Sequence, residues 1–80
     1  MKIPRDAGGE ELAKLLAKVG YKITRQTGSH LRLTTYEKGE HHITIPAHAS
    51  LKIGTLNGIL KDVATHLEIS KEELIDMLWK

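Results

Sequence analysis

Arg25, Gln26, Ser29, His30 and Arg32 fall within eight consecutive residues, RQTGSHLR. Histidine ionises near neutrality, so one imidazole can take a proton in one state and return it in the other. Guanidinium groups present paired donors that match phosphate oxygens, and Gln26 and Ser29 add neutral donors. A second cluster, LKIGT at residues 51–55, places Lys52 and Thr55 at an expected helix start, where free amides and the helix dipole favour an anion. RNA carries its own nucleophile, the 2′-hydroxyl, so its cleavage needs little more than proton transfer and neutralisation of the phosphate. One positioned histidine contributes about 10²–10⁴-fold to such a reaction. The same residue types are also ordinary polar hairpin residues, and the pattern alone leaves that alternative open.

Other chemistries find less support. Five histidines raise the question of a metal. His41 and His42 are strand neighbours, expected to point to opposite faces. His42 and His48 could converge with His30, but no Asp, Glu or Cys stands at a recognisable ligand spacing, so neither metal nor cofactor is expected. Ser29 and His30 are adjacent, and adjacent strand residues are expected to diverge, which argues against a serine nucleophile with its base. Neither GxGxxG nor GxxxxGK occurs in the sequence.

The elements that must position these residues follow from periodicity. Leu12, Leu15, Leu16 and Val19 make one apolar stripe, predicting a helix over about 10–19 with Gly8 or Gly9 as N-cap and Gly20 as C-terminal cap. Period-two alternation predicts strands at about 21–27, 29–36 and 41–46, with turns at Thr27-Gly28 and Lys38-Gly39 and a stop at Pro46. Leu56, Ile59, Leu60, Val63 and Leu67 predict a helix over about 55–67 with Thr55 as N-cap, and Gly58 is expected to pack closely on the sheet. Ser70 and Glu73 form a capping box for a helix over about 71–79, with Ile69 and Leu74 as a hydrophobic staple. The economical packing is an α+β fold, α-β-β-β-α plus a short C-terminal helix. Its three-stranded antiparallel sheet has the helices on one face, covering Ile23, Leu31, Leu33, Ile43 and Ile45. Lys22, Thr24, Gln26, His30, Arg32, Thr34, His42 and Thr44 are then expected on the open face.

Eighty residues make one domain, 1–80, burying roughly 60–65% of its unfolded surface. No cysteine and no long apolar run occur, which predicts a soluble cytoplasmic protein without a membrane partner. The formal net charge of +2 conceals an asymmetry: residues 12–61 carry eight Lys/Arg against two acids, and no acid lies between Leu12 and Tyr36. A basic stretch of this kind suits a polyanion.

GYKITRQTGSHLRL, HHITIPAH and LKIGTLNGIL together resemble the HicA toxin family of toxin–antitoxin modules, and the likeness extends to MKIPRDAGGEEL and ISKEELIDML at the two ends. The resemblance implies a double-stranded-RNA-binding-domain-like fold. It further implies an mRNA interferase activity, a metal-independent endoribonuclease with His30 as its catalytic histidine. Its partner would be a HicB-like antitoxin that masks the site. Arg25, Gln26, Ser29, Arg32, Lys52 and Thr55 are then the expected RNA and phosphate contacts. The general acid is left open between a cation, water and His42 as an auxiliary. The alternative is a non-catalytic RNA-binding module of the same fold.

Overall fold

The computed structural model describes residues 7–79, so the opening MKIPRD of the family-like pattern lies outside the described residues. Helix α1 (Gly9–Leu16) runs into a 3₁₀ turn (Ala17–Val19) and is followed by β1 (Lys22–Gln26), β2 (His30–Thr35), β3 (His41–Pro46), α2 (Ile53–Leu67) and α3 (Lys71–Leu78). The strands form one antiparallel sheet in the order β1-β2-β3. This is the expected α-β-β-β-α arrangement with a C-terminal helix.

The core forms where the helix stripes meet one face of the sheet. Leu12, Leu16 and Val19, Leu31, Leu33, Ile43 and Ile45, and Leu56, Ile59, Leu60, Val63 and Leu67 are all buried. Leu74, Ile75 and Leu78 of α3 join the same cluster. The capping box of α3 is complete: Glu73 N–H donates to Ser70 Oγ and Ser70 N–H to Glu73 Oε1, each at 3.0 Å. The 3₁₀ turn that follows α1 ends at left-handed Gly20, with Tyr21 N–H donating back to Leu16 O at 3.1 Å. No helix among the described residues is long and apolar enough to cross a membrane.

Gly8 and Gly9 are fixed by a close approach of two backbones. A Cβ on Gly9 would stand 2.0 Å from Pro46 O, and one on Gly8 2.6 Å from Ala49 O. Gly9 N–H also donates to His48 O at 2.9 Å. The start of α1 is therefore seated directly on the segment that leaves β3.

Several local expectations need correction. Ile23 is 47% exposed although it pairs with core-facing Leu33, because of the two edge strands β3 is packed by both α1 and α2 and β1 chiefly by α1; Tyr21, just before it, is fully buried instead. Gly58 faces solvent, and a Cβ there would meet nothing within 4 Å, so it does not pack on the sheet. The N-cap of α2 is Lys52, with extended backbone (φ −64°, ψ 144°) and a carbonyl that accepts from Leu56 N–H at 2.9 Å. Thr55 is therefore the third residue of the helix and caps nothing.

Candidate active site

His30 opens β2 immediately after the hairpin turn. Thr27 N–H donates to His30 O at 2.9 Å and His30 N–H to Thr27 Oγ1 at 3.1 Å, so Thr27 fastens the turn from both sides. Gly28 does not adopt a left-handed conformation, and a Cβ on it would meet nothing within 4 Å. The hairpin thus closes through the threonine rather than through any special freedom of the glycine. On the other flank Ala47 N–H donates to Ser29 O at 2.9 Å, which ties the turn to the end of β3 and through it to α1.

The His30 imidazole is exposed, and its Nδ1 lies 2.9 Å from Ser29 Oγ. This overturns the expectation that the two side chains diverge. Ser29 lies in the turn, before the pleat begins, so strand alternation does not govern it. The contact orients the ring, while Nε2 has no hydrogen-bond partner among the described residues.

Arg25 and Arg32 are direct cross-strand partners. The β1–β2 register shifts between Ile23 and Arg25, so Thr24 is an extra residue on β1. Lys22 pairs with Thr34 ahead of this bulge, and Arg25 with Arg32 and Gln26 with Leu31 behind it. Partners opposite one another share a face, so Arg25 joins Arg32 on the open face. Gln26 takes the side of Leu31. Strict alternation predicts the reverse for both residues, and an inserted residue is what inverts it. His30 and Arg32, two residues apart on β2, share that face with Cα atoms about 6.6 Å apart.

The electrostatics of this face are unbalanced. Among the described residues the ion pairs are His41 Nε2–Asp62 Oδ1 at 3.3 Å and His42 Nε2–Glu40 Oε2 at 2.6 Å. Neither Arg25 nor Arg32 has a carboxylate partner there, and like charges directly opposite repel. An anion between them relieves that repulsion. Lys52 and Thr55 stand at the exposed start of α2, which has no side-chain cap.

His42 shares the open face but not the site. It pairs with Thr34, four residues along β2 from His30, which is about 13 Å away. Its Nδ1 lies 2.8 Å from Thr34 Oγ1 and its Nε2 2.6 Å from Glu40 Oε2, so both ring nitrogens are engaged. The structure does not bring His42 to His30.

His41, as expected, points the other way. Tyr21 donates its hydroxyl to His41 Nδ1 at 2.7 Å, and the His41 ring stacks on His66 with centroids 4.3 Å apart. Burial, with the Asp62 charge second, pushes the Tyr21 phenol up to about 12, so it keeps its proton. His66 Nε2–H donates to Glu37 O at 2.8 Å and Gly39 O at 3.1 Å, pinning the β2–β3 turn to α2. No sequence spacing signals this pairing, because the two histidines lie 25 positions apart on different elements. Among the described residues no group of three or more His, Asp or Glu side chains is disposed to hold a metal ion.

A hollow of about 510 Å³ is lined by Val19, Gly20, Glu37, Lys38, Leu67 and Met77, at the far end of the sheet from His30. His30, Arg25 and Arg32 instead lie on an open face, which suits a polymer substrate better than an enclosed small molecule. No curated protein and no solved structure gives a significant match to the chain. Residues 9–64 of the 80 match the family model described as the HicA toxin of bacterial toxin-antitoxin, a stretch from α1 into α2 that stops before α3. The chain therefore belongs to the HicA toxin family, as the toxin of a toxin–antitoxin module.

Proposed function

We propose that this toxin is an endoribonuclease, an mRNA interferase of the cytoplasm, that cuts messenger RNA with His30 and without a metal ion. The observation that carries the reading is an exposed imidazole, oriented through Nδ1 by Ser29 and open at Nε2 among the described residues, on the same face as two arginines that no described carboxylate pairs. In this scheme Nε2 takes the proton of a 2′-hydroxyl as that oxygen attacks the adjacent phosphorus. A 2′,3′-cyclic phosphate forms, and the 5′-oxygen leaves with a proton from solvent, His42 being out of reach. Arg25 and Arg32 neutralise the phosphate. Lys52 and the free amides at the start of α2, with Thr55, take a neighbouring phosphate. Gln26, turned to the other side of β1, contributes through the strand edge rather than beside His30.

The partner in this reading is a HicB-like antitoxin that lies over the open face. Its carboxylates pair with the arginines, which electrostatic complementarity favours. Purified toxin is expected to cleave mixed-sequence RNA in EDTA, leaving 2′,3′-cyclic phosphate ends. His30→Ala should bind RNA without cutting it and keep the wild-type thermal transition. Full cleavage by His30→Ala removes His30 from the mechanism. Binding without cleavage by the wild type favours the non-catalytic RNA-binding module instead.

A further inference from the structure

Four polar side chains are joined in series across the open face, one from each strand and one from the turn before β3. Thr24 Oγ1 lies 2.9 Å from Thr34 Oγ1, Thr34 Oγ1 2.8 Å from His42 Nδ1, and His42 Nε2 2.6 Å from Glu40 Oε2. An ionised carboxylate only accepts, and this fixes the direction of the chain. His42 Nε2–H donates to Glu40, Thr34 O–H to His42 Nδ1, and Thr24 O–H to Thr34. Thr34 is 4% exposed even though it lies on the open face, because its neighbours close over it. A doubly protonated His42 would reverse the two hydroxyl bonds, with Thr24 turning to Arg32 O at 3.4 Å, so the chain stays closed in either state.

The far end of this chain is the bulged residue of β1. Without the bulge, continuing the pairing of Lys22 with Thr34 and Ile23 with Leu33 would set Thr24 opposite Arg32. Arg25 would then turn to the side of Leu31, and Gln26 would face His30. Two influences favour that regular register: an unbroken ladder, and the separation of two like charges. Two contacts oppose them: the Thr27–His30 pair closes the hairpin in the shifted register, and the hydroxyl of Thr24, gripped by Thr34, secures the bulged residue itself. We propose that the Glu40–His42–Thr34–Thr24 chain holds the bulge that keeps Arg25 opposite Arg32, making His42 a positioning residue for the phosphate cradle. This rests on the cradle binding RNA, as in the function proposed above. Each hydrogen bond of this kind shifts an equilibrium by about two- to tenfold, so breaking the chain at its centre is expected to release the register.

Thr34→Val is the direct test, because it removes both hydroxyl bonds and keeps the shape. The probe is a fluorescein-labelled 2′-O-methyl RNA oligonucleotide, which cannot be cleaved. Thr34→Val and His42→Ala are expected to weaken binding about tenfold in the wild-type background and to add nothing in Arg25→Ala. His42→Asn, whose amide replaces Nδ1 towards Thr34, should restore most of the affinity. With cleavable RNA, Thr34→Val should lower kcat/KM by about the factor that Arg25→Ala does, and the two together should lower it no further. Equal losses with and without Arg25, or failure of His42→Asn to restore binding, overturn the proposal. A second arm reads the register itself, through the cross-strand NMR contact between Arg25 and Arg32 in the free protein. That contact should vanish in Thr34→Val, with Arg25 now facing Leu31; an unchanged contact overturns the proposal even if the wild type binds no RNA. Absent RNA binding together with a lost contact in Thr34→Val refutes the proposed function and upholds the positioning chain.

Discussion

Replacing Arg25 by Gln should make the protein more stable and worse at holding RNA. Arg25 and Arg32 face each other across β1 and β2, and no carboxylate among the described residues sits within pairing distance of either. Two guanidinium groups about 6 Å apart in a water-like dielectric repel by about 0.7 kcal/mol. Screening at a Debye length of about 8 Å reduces it to about 0.3 kcal/mol at physiological salt. Gln keeps the polar stem and removes the charge, so Arg25→Gln should gain about 0.5 kcal/mol in urea denaturation at low salt. The gain should fade in 1 M NaCl, where the Debye length is about 3 Å. RNA affinity should fall uniformly across sequences. The slope of log affinity against log salt should become shallower by about 0.7, the value for one phosphate contact on a single strand. A less stable Arg25→Gln at low salt, or an unchanged salt slope, would refute the idea that the arginines are an unpaired couple awaiting a phosphate.

Gly9→Ala should cost about 3 kcal/mol, the upper range of forced overpacking. The new Cβ meets Pro46 O at 2.0 Å and Pro46 C at 3.0 Å, both backbone atoms, and the loss reads directly in the urea midpoint. Gly58→Ala should do the opposite, gaining about 0.5–1 kcal/mol, because the site is open and mid-helical; a raised Tm checks it. Glu68→Gly should gain a further increment of about 1 kcal/mol, since Glu68 ends α2 in a left-handed conformation (φ 61°) that glycine adopts freely. Tyr21→Phe removes the hydroxyl that bonds His41 at 2.7 Å and should cost about 1–2 kcal/mol at neutral pH. The folded phenol holds its proton up to about pH 12, against 10 in the unfolded chain. Wild-type stability is therefore level below pH 10 from this group and falls as pH rises towards 12, whereas Tyr21→Phe should lack that component of the alkaline decline.

Much of this protein can be read directly from local chemistry. The stripes of α1, α2 and α3, the Ser70–Glu73 box, the Gly20 cap and the Lys38-Gly39 turn depend on residues a few positions apart, and each acts within its own element. The acid-free run between Leu12 and Tyr36 is likewise a property of composition alone. His30 stood out for the same reason, since its turn and its neighbours are contiguous.

What the sequence left undecided depends on contacts between elements. Alternation assigns Arg25 to the buried side of β1, and only the bulge, set by β2 pairing, moves it beside Arg32. Ile23 has the pattern of a core residue, but it lies on an edge strand that no helix fully covers. Gly58 resembles a packing glycine and faces solvent, whereas Gly9 resembles a simple cap and is the one held by backbone contact. His42 has the residue type of an auxiliary catalyst, but its ring nitrogens are bonded to Thr34 and Glu40. Hydrophobic period and capping act over three or four residues, so one chain suffices to determine them. Register, edge position and the reach of a side chain across a sheet depend on which strands meet, and only the folded molecule decides that.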